Sequence, residues 1–279
     1  MNSEANRIDV CFRALRASGR TGLIPYITAG HPHPDMSVNL LHALVDSGAD
    51  LLELGVPFSD VMADGPVIQD ACQTALEHGT DLARVLEIVR EFRRRDAETP
   101  VILMGYMNPA ERCGIEAFAQ RAAAAGADGL LIVDCPVDEA DETVAVFQRH
   151  GLHQIFLVAP TTTEARLGRL APRAGGFIYY VSLKGVTGSS ALNAESLKPA
   201  LAAIRRHSEL PVAVGFGIST PAQASAVGAV ADAVVIGSAL VKRLDGAGRG
   251  DDAVSRAREY IGEIRSALDA RTPAAAAGA

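Results

Sequence analysis

The stretch LLELGVPFSDVMADGPVIQ, residues 51–69, holds one strand–turn–helix unit and the most unusually placed charge in the chain. It begins as an apolar strand with a single carboxylate, Glu53, set inside it. A Gly/Pro-rich turn follows, and a loop then carries Asp60 and Asp64 before helix-like sequence resumes. Side chains alternate along a strand, so Leu51, Glu53 and Gly55 share one face. A carboxylate buried on such a face costs several kcal/mol unless it is hydrogen-bonded or protonated by a raised pKa. The alternative is a structural ion pair, but no strand of the chain carries a basic residue in its core. Glu53 is therefore expected to face a low-dielectric cavity, with open space above it at Gly55, and to exchange a proton near neutral pH.

Outward from this unit the same alternation repeats. Apolar runs occur at LIPYITA (23–29), LLELGVP (51–57), VILMGY (101–106), GLLIVD (129–134), QIFLVA (154–159), FIYYVS (177–182), VAVGFG (212–217) and AVVIGS (233–238). Continuous apolar runs of this kind are expected of parallel strands covered on both faces. Amphipathic stretches lie between them at 36–47, 81–94, 114–125, 138–150, 164–173, 195–207 and 220–229. One helix precedes the first strand at about 4–18, and another follows the last at 251–269. Eight β/α units in 279 residues predict an α/β fold, a single (β/α)8 TIM barrel with an extra N-terminal helix and a short helix after strand eight. An open doubly wound sheet also alternates, but its glycine fingerprint is missing. One domain over residues 1–270 is expected, with 271–279 as a fraying tail.

Composition narrows the function. At 48% hydrophobic the chain can bury a large core, and its net charge of −7 disfavours nucleic acid and anionic membranes. No apolar run approaches the roughly 18 residues of a membrane span. MNSEANRIDV has no signal-peptide core, which predicts a cytoplasmic protein. The four cysteines are scattered without a CxxC pair and are expected as free thiols; no metal-ligand spacing, P-loop or dinucleotide signature occurs.

In a barrel the active site lies at the C-terminal ends of the strands. Thr28, Glu53, Tyr106, Asn108, Asp134, Thr161, Ser182 and Ser238 fall there. The loop 58–66 is long enough to cover the mouth. Its Asp64 has two readings, a cap for the following helix or an acceptor for a substrate N–H or O–H. Glycines at SLKGVTGSS (182–190), VGFGIST (214–220) and IGSALV (236–241) expose backbone N–H groups where barrels often bind phosphate, although tight turns also use glycine. A small phosphorylated substrate reaching from strands seven and eight to Glu53 is predicted.

These motifs resemble those of the tryptophan synthase alpha subunits. The family signature LELGxPFSDPxADGPxIQ is matched over residues 52–69 with one departure. Similarity continues through IPYITAG (24–30), YMNP (106–109), VDCPVDE (133–139), YYVSLKGVTG (179–188), GFGIS (215–219) and GSALV (237–241), covering about residues 8–268. The resemblance implies retro-aldol cleavage of indole-3-glycerol phosphate to indole and glyceraldehyde 3-phosphate. It places the catalytic carboxylates on Glu53 and Asp64, the neighbouring tyrosine on Tyr179, and the threonine that orders the aspartate on Thr187. Phosphate contacts fall on Gly188, Gly217, Gly237 and Ser238, and indole packing on Tyr26 and Met104. No cofactor is implied for this subunit. Pyridoxal phosphate belongs to the beta subunit, which would receive indole within an α2β2 heterotetramer, with loops 58–66 and 183–192 responding to it.

Val61 departs from the family's proline, which predicts a slightly more mobile loop. His31 is assigned no role. A stand-alone lyase, a non-catalytic regulatory barrel and another phosphosugar-binding barrel are the competing expectations; retention of Glu53, Asp64, Tyr179 and the phosphate loops argues against the second, and the third would not need the 52–69 signature.

Overall fold

The structure is a computed structural model that describes residues 5–182, 194–215, 217–247 and 251–270. Helix α1 (Arg7–Ser18) precedes strand β1 (Gly22–Thr28). There follow α2 (Ser37–Asp46), β2 (Leu52–Gly55), α3 (Pro66–Glu77), α4 (Leu82–Arg93), β3 (Val101–Gly105), α5 (Met107–Cys113), α6 (Ile115–Ala125), β4 (Gly129–Ile132), α7 (Asp141–Arg149) and β5 (His153–Val158). The last third comprises α8 (Glu164–Leu170), β6 (Ile178–Val181), α9 (Ala194–His207), β7 (Val212–Gly215), α10 (Pro221–Gly228), β8 (Ala233–Ile236), α11 (Ser238–Leu244) and α12 (Asp251–Asp269). All eight strands pair in parallel with their sequence neighbours, and β1 also pairs with β8, closing the barrel. The predicted TIM barrel is the observed fold. The expected tail at 271–279 lies outside the described residues.

Strand alternation sorts the apolar side chains into two layers. Leu52, Leu54, Leu103, Leu130, Val212 and Val234 face outward and pack under the surrounding helices. Ile24, Leu51, Ile102, Leu131, Ile155 and Phe177 face inward and fill the lower barrel. Helix α1 closes that end. Its Ile8, Phe12 and Leu15 fall on one helical stripe and join the inward layer. Asn6 caps it by accepting from the Ile8 N–H, and its amide donates to the Asp128 and Gly151 carbonyls. With the bottom sealed, the only polar departure in the interior of β2 is Glu53, one strand repeat above Leu51.

Helix α5 was not among the expected helices, the nearest of which began at 114. Pro109 sits in its first turn, where a missing N–H costs nothing, and Asp134 accepts the Met107 N–H at 2.7 Å. That contact gives Asp134 a structural role at the rim.

Candidate active site

Above the sealed floor, a cavity of about 330 Å3 opens at the C-terminal ends of the strands. That volume suits a small ligand. Its walls bring together Tyr26, Glu53, Asp64, Met104, Tyr179, Gly217, Gly237 and Ser238, drawn from β1, β2, β3, β6 and the segments after β2, β7 and β8. Thr187 and Gly188 lie outside the described residues.

Glu53 is 2% exposed, and its Oε1 is buried without a hydrogen-bond partner. In register it lies between Tyr26 of β1 and Ile102 of β3. Among the described residues no Lys or Arg pairs with it, so the ion-pair reading has no support. Loss of hydration, and then the nearby charge of Asp64, push its pKa up to about 8. The space above it is not open, as had been expected from Gly55. A Cβ at Gly55 would collide with the Tyr26 hydroxyl, so the glycine exists to let the phenol lie across the strand. The Tyr26 hydroxyl also shares a hydrogen bond with Thr28 Oγ1 at 3.1 Å. The opposite wall repeats the device, since a Cβ at Gly215 would strike the Tyr179 hydroxyl. Burial, reinforced by Glu53 and Asp64, holds the Tyr179 pKa well above the ordinary phenol value, so it remains a neutral hydrogen-bond donor.

Asp64 does not cap α3. Gly65 occupies that position without a side-chain cap, and Pro66 starts the helix. The capping reading of the sequence is therefore not what the structure shows. The Tyr106 hydroxyl donates to Asp64 Oδ2 at 2.7 Å and accepts from the Ala63 N–H at 3.1 Å. Gln69 Nε2 donates to the Asp64 carbonyl at 2.8 Å. Burial raises the Asp64 pKa, and the Tyr106 hydrogen bond opposes that rise. Tyr106 is the residue that sequence reasoning noted at the rim but gave no task. The available signal was positional: it leaves β3 beside the strand whose loop carries Asp64.

The loop between β2 and α3 is further held by Val61, which packs with Tyr26, Ile68, Cys72 and Tyr106. Here the residue standing in for the family's proline supplies buried apolar contact. Met62 beside it is 88% exposed.

Replacing Tyr106 by Phe removes the donor to Asp64 and the acceptor for Ala63 while keeping the ring. A hydrogen bond to a charged group contributes about 1.5–3 kcal/mol, so roughly a tenfold or larger fall in turnover is expected. The acid limb of the pH–rate profile should move to higher pH, because Asp64 loses the bond that favours its ionised form. A pH profile identical to the parent's would remove Tyr106 from the tuning of Asp64.

Among the described residues no group of three or more His, Cys, Asp or Glu side chains is arranged to hold a metal. No described helix is long and apolar enough to cross a membrane.

A family model described as tryptophan synthase alpha chain matches residues 12–269. The tryptophan synthase alpha chain of Laribacter hongkongensis is 57% identical over 265 residues, spanning 95% of this chain and all of the relative. That of Thioalkalivibrio sulfidiphilus is 55% identical over the same shares. The crystal structure of the alpha subunit from Legionella pneumophila superposes with a TM-score of 0.89 at 45% identity, covering 95% of this chain and 99% of that one. Tryptophan synthase from M. tuberculosis in its aminoacrylate-bound form matches with a TM-score of 0.84 at 35% identity, covering 95% of this chain and all of that one. The chain belongs to the tryptophan synthase alpha chain family, the carbon–carbon lyases of tryptophan biosynthesis that cleave indole-3-glycerol phosphate to indole and glyceraldehyde 3-phosphate.

Proposed function

We propose that Glu53 carries the proton traffic of this cleavage and Asp64 the charge stabilisation. The observation that supports this most directly is the unpartnered carboxyl of Glu53, held neutral up to about pH 8 in the same cavity as Asp64. Neutral Glu53 delivers its proton to ring carbon 3, producing an indolenine-like cation. Ionised Asp64 accepts a hydrogen bond from the ring N–H and stabilises that cation. Glu53, now a carboxylate, takes the proton from the hydroxyl on the carbon attached to the ring. That carbon becomes the aldehyde as the C–C bond breaks. The bonding pair returns to the ring and leaves indole, with Glu53 protonated again.

Tyr26 and Met104 flank the ring plane, and Tyr179 walls the opposite side as a donor. The phosphate rests against the backbone at Gly217, Gly237 and Ser238; the resemblance adds Gly188 to the phosphate contacts and gives Thr187 the ordering of Asp64, and both lie outside the described residues. The single residue between β8 and α11 suits that task, because Gly237 precedes the helix without any side-chain cap. Every step uses side chains of this one barrel and no cofactor held by it. Members of the family work with a beta subunit. We assign this chain to a cytoplasmic α2β2 assembly in which indole passes to the pyridoxal phosphate of that partner. The M. tuberculosis match, solved as tryptophan synthase, supports the pairing.

Indole release measured for the isolated chain and again with a saturating beta subunit tests the assembly. A rise of at least severalfold with the partner is expected, as for sites gated by a partner contact. Equal rates would mark a stand-alone lyase, and no indole in either arm would overturn the assignment of the chemistry.

A further inference from the structure

We infer that Lys242 sets specificity for the phosphorylated substrate, as the cation that meets its phosphate; this rests on the proposed placement of the phosphate. The cavity is electrically lopsided. Glu53 and Asp64 stand at one end, and the walls contributed after β7 and β8 are neutral backbone and small side chains, apart from one basic residue, Lys242. A phosphate monoester carries close to two negative charges at neutral pH. Bringing it into a cavity that also holds Asp64, in a chain of net charge −7, is favoured by a local positive field.

Helix geometry aims Lys242 at the phosphate end. Ser238 and Lys242 are four residues apart on α11 and share a face. Long helical side chains lean back toward the N-terminus, so the Lys242 stem covers the turn that begins at Ser238. Its neighbour Arg243 points elsewhere. The Arg243 guanidinium lies 3.7 Å from the Tyr260 ring centroid, and Nη1 donates to the Ala239 carbonyl at 3.0 Å. Among the described residues no carboxylate pairs with Lys242, and the adjacent acid on α11's C-terminal side, Asp245, is taken by His31 at 3.0 Å. Among the described residues an ammonium without a carboxylate partner is thus left in the lining of the cavity, while a second cation one position along is committed to packing.

The test compares kcat/KM for indole-3-glycerol phosphate and for dephosphorylated indole-3-glycerol, at low and high salt. It uses the full-length parent, Lys242→Met, Lys242→Arg and Arg243→Met. Lys242→Met is expected to lose roughly tenfold or more on the phosphorylated substrate, mainly through KM, as for a charge-assisted hydrogen bond. Its rate on the dephosphorylated substrate should stay within about twofold, which also controls for folding. Its salt dependence should flatten, because the screened attraction is gone. Lys242→Arg should restore most of the loss, and Arg243→Met, which removes the same charge, should behave as the parent. Equal losses on both substrates, or none on the phosphorylated one, would overturn the role of Lys242. A parent enzyme indifferent to the phosphate would overturn the phosphate placement itself, whatever Lys242 does.

Discussion

Glu53→Gln is expected to abolish cleavage, with turnover falling by at least about a thousandfold, while glyceraldehyde 3-phosphate still binds within a fewfold of the parent. General acid and base roles contribute about 10²- to 10⁴-fold each, and here one carboxyl performs both. Glutamine fills the same space but cannot release or take up a proton. In the parent, activity should fall above about pH 8 as the initiating proton is lost, and fall again in acid as Asp64 becomes protonated. The same substitution should alter stability with a definite sign. The raised pKa means that between about 4.5 and 8 the unfolded chain releases a proton that the native protein retains. The parent therefore loses stability as pH rises through that window, at about 1.4 kcal/mol per unit. Glu53→Gln lacks this term, so its stability relative to the parent should grow by a few kcal/mol from pH 4 to pH 8. Denaturant unfolding at the two pH values measures it. A constant difference between variant and parent would mean that Glu53 is ionised in the native protein and cannot be the acid.

Asp64→Ala is the second large expected effect, a loss of at least about a hundredfold in kcat, as for removal of a preorganised group that stabilises developing charge. Little loss of folding stability should accompany it. The carboxyl caps no helix, and its one hydrogen bond in the structure comes from Tyr106. Asp64→Asn keeps an acceptor without the charge, and should fall between alanine and the parent. Because Tyr106 acts through Asp64, Tyr106→Phe should have little further effect in the Asp64→Ala background. Single-turnover indole formation separates these effects from product release. A fall of less than tenfold for Asp64→Ala would confine the residue to shaping its loop.

The barrel was legible because parallel strands covered on both faces leave uninterrupted apolar runs, and all eight coincide with observed strands to within a few residues. Glu53 was legible for the same reason: one charge in such a run stands out, and alternation pointed it inward. What could not be read were pairings across the rim. Tyr106 and Asp64 are 42 residues apart, and no local pattern joins them; only the closed register of β2 against β3 does. Gly55 was misread because a missing Cβ looks the same in sequence whether it makes a void or admits a ring from the next strand. Helix α5 stayed hidden because its seven residues, Met107–Cys113, are too few to display a helical period.

The two phenols that lie over Gly55 and Gly215 also define where the aromatic subsite can be resized. Behind each ring lies a glycine, so on that side no side chain can take over the vacated volume. Trimming Tyr179 therefore leaves space that Gly215 cannot fill, whereas Val61, Ile68 and Cys72, which pack with Tyr26, can close in on its volume. The two rings stand on different strands, β1 and β6, so ring-substituted donors, halogenated or methylated on the benzo edge, would be sorted by which tyrosine had been shortened.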